Sequence, residues 1–211
     1  MRQLTSYFIN TRVYSVLVLA FLVTGLAYHL FYPYDLLCLK VNAIHHTTAD
    51  LFFRNITQLG DGVFVVLLGL ALWIFHREEG KVILLGYLLS SIVTSIMKGM
   101  IFKKTPRPIE HFWQEVPNLH LVDGIKIHHW DSFPSGHTTS IFLVCSILSW
   151  YYRSTYFQWF WFLLALVTGF SRIYLFQHFL RDVLAGAFIG WVTAAFLLSG
   201  KFLKNSSEEA T

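Results

Sequence analysis

The sequence has 211 residues, of which 55% are hydrophobic and 13% charged, with a mean hydropathy of +0.53 and a formal net charge of +4. This composition excludes an ordinary soluble domain, and the length suits one membrane domain covering residues 1–211. The cations lie beside apolar runs or inside polar motifs rather than in a basic stripe, which excludes nucleic acid as a partner and favours anionic membrane lipid.

The first predicted transmembrane span is the apolar run of residues 13–32, which is long enough to cross the hydrocarbon core. We expect it to remain a span, because Tyr-Pro-Tyr-Asp follows where a signal peptide would carry small residues. Residues 35–61 then mix apolar side chains such as Leu51 and Phe52 with polar ones. This pattern predicts a helix lying in the membrane interface, with an ordinary amphipathic connector as the alternative.

Further apolar runs bring the total to six predicted spans in an all-α bundle; they cover residues 61–77, 82–102, 137–153, 155–172 and 180–200. Several are short for a membrane crossing, but three of these helices would extend into polar residues of a candidate site. Residues 103–133 contain three prolines and predict a long loop over one membrane face. The tail, residues 201–211, is expected to be disordered.

The first polar motif, Lys98…Arg107-Pro108, joins the end of the third span to the long loop. Both cations can reach a phosphate group from there. The alternative is that they only snorkel from a helix end, as basic residues often do.

The second motif, Pro134-Ser135-Gly136-His137, opens the fourth span. Ser135 can cap the helix, Gly136 lets backbone approach a ligand closely, and the helix start attracts an anion. His137 is then placed to donate a proton to a departing alkoxide. A plain helix cap is the alternative.

The third motif, Ser171-Arg172…His178…Asp182, has the spacing of a nucleophile and its orienting group. On a helix, His178 and Asp182 would share a face, so the carboxylate could fix the imidazole tautomer and raise its nucleophilicity. Arg172 offers a planar, permanently charged fork for phosphate oxygens. The alternative is a structural ion pair between Arg172 and Asp182, with His178 packed beside it.

Histidines of the long loop, near Asp123 and Asp131, suggest a zinc or iron site as a different interpretation: His111, His120, His128 and His129. Their spacing matches no metal-ligand motif, so we expect solvated side chains and no metal.

Alternation of six spans places all three motifs on the membrane face opposite both termini. With Lys98, Arg107 and Arg172 set aside as site residues, the terminal face carries seven cations: Arg2, Arg12, Arg77, Lys81, Arg153, Lys201 and Lys204. The motif face carries six: Lys40, Arg54, Lys103, Lys104, Lys126 and Arg181. Counted with those three site residues, the motif face carries nine cations against seven, so the full count does not favour cytoplasmic termini. Only the count without them favours cytoplasmic termini and a site facing the periplasm or outside.

Together the three motifs resemble those of the type 2 phosphatidic acid phosphatase family, over a region from about Lys98 to Asp182. The second and third motifs match residue for residue, but the first departs from the family pattern. The family lysine lies seven residues before the Arg-Pro arginine, where this chain has Met100, whereas Lys98 lies nine before. We assign the role to Lys98, with Lys103 or Lys104 as alternatives.

The resemblance implies a six-helix membrane core, a phosphohistidine intermediate on His178, and no metal or cofactor. Asp182 would orient His178, and His137 would protonate the leaving group and later activate water. The resemblance also implies a set of residues that stabilise the oxygens of the transferring group: Lys98, Arg107, Ser135, Gly136 and Arg172.

The expected function is hydrolysis of a lipid phosphate or pyrophosphate monoester that enters from the bilayer of a bacterial inner membrane. Phosphatidylglycerophosphate, phosphatidic acid, undecaprenyl pyrophosphate and lipid A stay open as substrates, and so does the oligomeric state. The alternatives are a lipid phosphotransferase with the same site and a non-catalytic membrane protein with a vestigial site. A vanadate-dependent haloperoxidase is disfavoured because those enzymes are soluble.

Overall fold

The computed structural model of this chain describes residues 2–199, and within that range it contains α-helices and no strand. The predicted tail 201–211 and the last residue of the predicted span 180–200 lie outside the described residues. The helices are α1 (Arg2–Asn10), α2 (Arg12–Phe31), α3 (Leu36–Ala43), α4 (Thr47–Ile56), α5 (Gly62–Phe75), α6 (Arg77–Ile96), α7 (Pro108–His111), α8 (Gly136–Tyr151), α9 (Thr155–Tyr174) and α10 (Leu180–Ser199). The all-α class expected from the sequence is confirmed.

Helix α8 lies at the centre of the bundle. Its residues from Thr138 to Ser149 are all buried, as expected of a helix that is surrounded by other helices. Two glycines of α10 allow this close packing. A Cβ atom on Gly186 would lie 2.6 Å from the Ser135 carbonyl oxygen, and one on Gly190 would collide with the Thr139 carbonyl oxygen. Small residues at this interface therefore bring α8 and α10 into direct backbone contact.

Apolar side chains cover much of the outer surface of the long helices, as on α6, where exposed residues recur at helical spacing: Leu85, Leu88, Ile92 and Ile96. Three described helices are long and apolar enough to cross a membrane, namely α2, α10 and α6 with its continuation to Ile101. The segments Thr47–Gly60 and Gly62–Phe75 are long and apolar enough to cross a membrane only when they are taken together, and a bend of 57° separates them. The count of six spans stays a prediction.

Most of the long helices begin and end within two residues of the limits predicted for their spans. Helix α6 is different, because it begins at Arg77 rather than at residue 82. Its first turn carries Glu78 and Glu79, whose charges favour a helix N-terminus. These charges end the apolar run but not the helix, which is why the predicted span 82–102 starts too late.

Residues 35–61 form two short helices and a 3₁₀ turn, Thr57–Gly60, instead of one helix. The break falls before α4, where His46 is extended and its Nδ1 accepts a hydrogen bond from the Thr48 N–H at 3.2 Å. Phe53 of α4 packs on Tyr174 of α9, with ring centroids 4.4 Å apart. The segment is thereby fixed to the end of the bundle where α9 ends.

The long loop between α6 and α8 closes on itself at the same end. The Arg107 N–H donates to the His129 carbonyl at 2.8 Å, and the Ser132 N–H donates to the Thr105 carbonyl at 3.2 Å. These bonds pair the start of the loop with its end, so Arg107 is held beside the start of α8.

Candidate active site

A tight turn between α9 and α10 positions His178. Phe176 has a φ of 58°, and the N–H groups of Gln177 and His178 both donate to the Arg172 carbonyl, at 2.9 and 3.0 Å. The turn folds His178 back under the end of α9, where it is almost fully buried. His178 therefore precedes α10 and does not share a helix with Asp182, in contrast to the helical pairing considered from the spacing.

Asp182, in the first turn of α10, is fully buried and lies next to His178. Its Oδ2 is 3.5 Å from His178 Nδ1. The same oxygen accepts hydrogen bonds from the Ser132 hydroxyl at 2.6 Å and from the Phe179 N–H at 3.0 Å. These donors hold the carboxylate in place, and its position beside Nδ1 leaves Nε2 as the atom free for chemistry.

Arg107 reaches from the loop to the other side of His178. Its Nη1 lies 3.3 Å from His178 Nε2, and its Nε donates to the Trp130 carbonyl at 2.9 Å. Nη1 also approaches the side-chain and backbone oxygens of Gln177, both at 3.3 Å. A phosphate group held at Nε2 would thus lie within reach of a guanidinium that the fold has already oriented.

Arg172 lies in the last turn of α9 and is 6% exposed. Its Nη1 donates to the Thr57 hydroxyl at 2.7 Å, whereas its buried Nε has no hydrogen-bond partner among the described residues. Arg172 and Asp182, both within residues 2–199, form no ion pair, in contrast to the alternative considered from the sequence. A buried N–H without a partner is costly, and an anionic ligand would satisfy it.

Ser135 caps α8 and connects the second motif to the third. Its Oγ accepts hydrogen bonds from Thr138, at 3.4 Å from the N–H and 2.9 Å from the hydroxyl. Its own N–H donates to the Asp182 carbonyl at 3.0 Å. Gly136 follows as the first residue of the helix, and a Cβ there would meet no atom within 4 Å. The start of α8 is therefore open on the side of Gly136.

His137 faces Asp61, the residue that caps α5. The distance from His137 Nε2 to Asp61 Oδ2 is 3.8 Å, while Asp61 Oδ1 accepts from the Val63 N–H at 2.8 Å. The approach is close because a Cβ on Gly60 would lie 2.6 Å from the His137 carbonyl oxygen. Glycine at residue 60 thus allows the α5 cap to meet the start of α8.

Lys98 lies in a π-helical turn, Met97–Ile101, that continues α6. The Phe102 N–H donates to the Met97 carbonyl at 2.7 Å, which closes this wider turn. Lys98 lines the same cavity as Gly136 and His137. The other lysines considered for this role, Lys103 and Lys104, are exposed and do not line it.

Burial and positive charge dominate the electrostatics around His178. Burial lowers its pKa well below the ordinary value, and the neighbouring cations Arg107, Arg172 and Lys98 lower it further. Burial likewise lowers the pKa of Arg107, which Asp182 and Asp131 partly offset. The imidazole of His178 is therefore neutral at physiological pH, the state in which a histidine nitrogen can act as a nucleophile.

The loop histidines do not gather at one point. Each of three pairs with a different carboxylate: His111 with Asp35 at 3.0 Å, His120 with Asp50 at 3.0 Å and His129 with Glu110 at 2.8 Å. Within residues 2–199, no group of three or more His, Cys, Asp or Glu side chains could hold a metal ion. These pairs instead join α7 to the residue that precedes α3, and the rest of the loop to α4 and α7.

Some site contacts come from residues that the motifs did not indicate: Thr57, Asp61, Ser132 and Gln177. Asp61 had a local signal, since an aspartate just before an apolar run predicts a helix cap, and the structure shows that cap. Nothing local linked Asp61 to His137 or Thr57 to Arg172, because these pairs are separated by 76 and 115 residues.

The sequence pattern of the PAP2 superfamily matches residues 80–205, which is more than half of the chain. Lipid A 4'-phosphatase of Porphyromonas gingivalis is 28% identical over 170 residues, which are 76% of this chain and 70% of that protein. Bacitracin transport permease protein BcrC of Bacillus licheniformis is 27% identical over 136 residues, 64% of each protein, so the chain spans just under two thirds of it. The crystal structure of Aquifex aeolicus LpxE superposes with a TM-score of 0.69 at 30% identity and covers 81% of this chain and 97% of its own.

Proposed function

This chain belongs to the PAP2 superfamily, and from that membership we propose that it hydrolyses a lipid phosphate or pyrophosphate monoester through a phosphohistidine intermediate. One observation carries the proposal: a buried, neutral histidine lies between a fixed carboxylate on one side and an oriented arginine on the other. This arrangement supports nucleophilic attack on a phosphoryl group.

In the first step, His178 Nε2 attacks phosphorus, and a P–N bond forms while the P–O bond to the leaving alcohol breaks. Asp182 keeps the Nδ1 proton of His178 in place. His137 donates a proton to the departing oxygen, so the alcohol leaves neutral. Lys98, Arg107 and Arg172 stabilise the charge that develops on the three equatorial oxygens.

In the second step, water attacks the phosphohistidine. His137 now takes a proton from that water, the P–N bond breaks, and inorganic phosphate leaves His178 free for the next cycle. The Ser135 hydroxyl and the open backbone around Gly136 hold the phosphate oxygens at the start of α8. No step of this route calls for a metal ion or another cofactor.

The protein is an integral membrane protein, and we infer that one domain crosses the membrane six times, through α2, α5, α6, α8, α9 and α10. In this arrangement α3 and α4 lie in the interface, and the exposed Leu51 and Phe52 of α4 contact lipid. Both termini are cytoplasmic and the site faces the periplasm of a bacterial inner membrane, which agrees with the count of cations once Lys98, Arg107 and Arg172 are set aside as site residues. The substrate enters from the bilayer.

The experiment is phosphate release from a panel of lipid phosphates by the purified protein in detergent, with no acceptor lipid present. Release under these conditions supports a hydrolase, whereas release only after an acceptor is added supports a phosphotransferase. Activity is expected to survive EDTA and to fall with vanadate, which resembles the phosphoryl-transfer transition state.

Histidine variants test the covalent step. His178→Ala is expected to abolish both turnover and an acid-labile phosphoenzyme, because the nucleophile is gone. His111→Ala is the matched control, since His111 pairs with Asp35 at 3.0 Å and touches none of the proposed catalytic groups. Near-normal turnover by His178→Ala, or restoration of EDTA-treated protein by zinc or magnesium, would exclude the phosphohistidine route.

A further inference from the structure

A cavity lined by hydroxyl groups enters the helix bundle beside His137. It has a volume of about 300 Å³, lies between α5, α6 and α8, and has Lys98 and His137 among its lining residues. No leucine, isoleucine, valine, methionine or phenylalanine is among the described residues that line it. Ligand pockets are ordinarily lined mostly by apolar side chains. A polar wall inside an apolar bundle is therefore a distinct feature.

Helix α6 supplies most of these hydroxyl groups from one face: Tyr87, Ser90, Ser91, Thr94 and Ser95. The exposed aliphatic side chains of α6 lie on its other side. Eight residues separate Ser90 from Lys98, which corresponds to about 12 Å along a helix. The hydroxyl surface thus extends from the candidate site well into the bundle.

These hydroxyl groups have unused hydrogen-bonding capacity. Ser90 and Thr94 donate to carbonyls of their own helix, at 3.2 and 3.0 Å, which leaves their oxygens free to accept. Ser91 and Ser95 make no side-chain hydrogen bond to another residue of the described chain. Each hydroxyl can both donate and accept. The best complement to such a wall is a group that also carries several hydroxyls.

The position of His137 indicates which part of a substrate enters the cavity. In the proposed reaction His137 protonates the leaving oxygen, so the leaving alcohol lies on the side of His137, and the cavity opens there. We propose that the cavity holds the headgroup of the leaving alcohol and that this headgroup bears free hydroxyl groups, as glycerol and sugars do. The inference rests on the proposed function, because it takes the leaving oxygen from that mechanism.

The same geometry predicts that the protein discriminates against leaving alcohols that carry no further hydroxyl group. A leaving group without hydroxyls would desolvate the wall of α6 and leave its polar groups unpaired, which costs free energy. Sites that hydrogen-bond a substrate hydroxyl discriminate strongly against analogues that lack it. The protein is therefore expected to prefer phosphate esters of polyols over esters of plain alkyl or prenyl alcohols.

The test compares kcat/KM for three substrates in a detergent that carries no sugar. Phosphatidylglycerophosphate represents glycerol, lipid A represents a sugar, and dodecyl phosphate has a leaving group without hydroxyls. The variant combines Ser91→Ala, Thr94→Val and Ser95→Ala. We expect the ratio of kcat/KM for the better polyol substrate over dodecyl phosphate to fall about tenfold in this variant. Which polyol the native protein prefers distinguishes glycerol from sugar.

Ser149→Ala is the matched control, because Ser149 is buried on α8 but does not line the cavity, and it is expected to keep the native ratio. Tyr87→Phe, which removes one hydroxyl and keeps the ring, replaces the triple variant if that protein unfolds early in a thermal scan. An unchanged ratio in folded variants, with all substrates hydrolysed, overturns the headgroup assignment while the phosphatase function stands.

Binding of dephosphorylated product separates the two proposals further. Affinity for phosphatidylglycerol and for dephosphorylated lipid A, measured with His178→Ala protein, does not depend on turnover. If no substrate is hydrolysed but one product binds severalfold more weakly to the cavity variant, the phosphatase function fails, while binding of a hydroxyl-bearing headgroup in the cavity stands. If His178→Ala protein binds both products equally well with and without the cavity substitutions, the headgroup assignment is overturned.

Discussion

Asp61 Oδ2 lies 3.8 Å from His137 Nε2, so the cap of one helix faces the proposed proton donor at the start of another. An anion at this distance favours the protonated imidazole, the form that can donate to a leaving oxygen. We therefore expect Asp61 to help His137 hold the proton that the proposed mechanism requires.

Asp61→Asn is expected to lower kcat about tenfold for an alkyl phosphate and much less for p-nitrophenyl phosphate, whose leaving group needs little proton donation. Asparagine caps a helix about as well as aspartate, so α5 keeps its N-terminal hydrogen bond to the Val63 N–H. Steady-state kinetics on both substrates is the measurement. Equal losses on the two would show that Asp61 acts on something other than proton transfer.

The pH dependence of activity follows from the environment of His178. Burial and neighbouring cations hold its pKa well below the ordinary 6.5, so it stays unprotonated to lower pH than a solvated histidine. The acid limb of the kcat/KM profile, which reports the free enzyme, is therefore expected below pH 6.5. Arg107→Gln removes the nearest cation and should move that limb toward neutral pH in the residual activity. A native acid limb above pH 6.5 would contradict the assignment of His178 as the nucleophile.

The first motif is tested by three lysine variants. Lys98→Ala is expected to cost about 2 to 4 kcal/mol of transition-state stabilisation, because Lys98 lines the cavity that contains His137. Lys103→Ala and Lys104→Ala serve as matched controls, since both side chains are exposed outside that cavity. Comparison of kcat/KM for the three proteins is the measurement, and the reverse ordering would move the phosphate contact into the loop.

The orientation in the membrane is tested by two cysteine substitutions at exposed residues, Asn118→Cys in the long loop and Ser154→Cys between α8 and α9. A membrane-impermeant thiol reagent is expected to label the first from outside intact cells and the second only after the cells are opened. The native Cys38 and Cys145 are buried and should give little background. Labelling of both cysteines from outside would place them on the same membrane face. It would then rule out α8 as the single span between them.

The residues of the candidate site could be proposed from the sequence because polar and charged side chains are costly to place in a membrane. Arg107, His137 and His178 stand out in an apolar sequence, and the predicted alternation of spans places them on one face. The contacts that complete the site were not predictable in the same way. Thr57 meets Arg172, and Asp61 meets His137, through tertiary packing of distant segments that leaves no local pattern.

Local backbone detail was also beyond the reach of periodicity. The spacing of His178 and Asp182 suits a helix equally well, yet His178 lies in a turn because the Arg172 carbonyl accepts two N–H groups there. Similarly, the apolar residues between 35 and 61 indicate an amphipathic segment, but they do not reveal the extended residue that separates α3 from α4.

The π-helical turn at Met97–Ile101 has a consequence for how the chain can vary in length. A π turn closes each hydrogen bond five residues back instead of four, so it accommodates an extra residue within the helix. Insertions or deletions between Lys98 and Arg107 can thus be absorbed by helical winding while both cations keep their places in space. Related chains are then expected to differ in the number of residues between these two cations, and a search that demands a fixed spacing would overlook functional members.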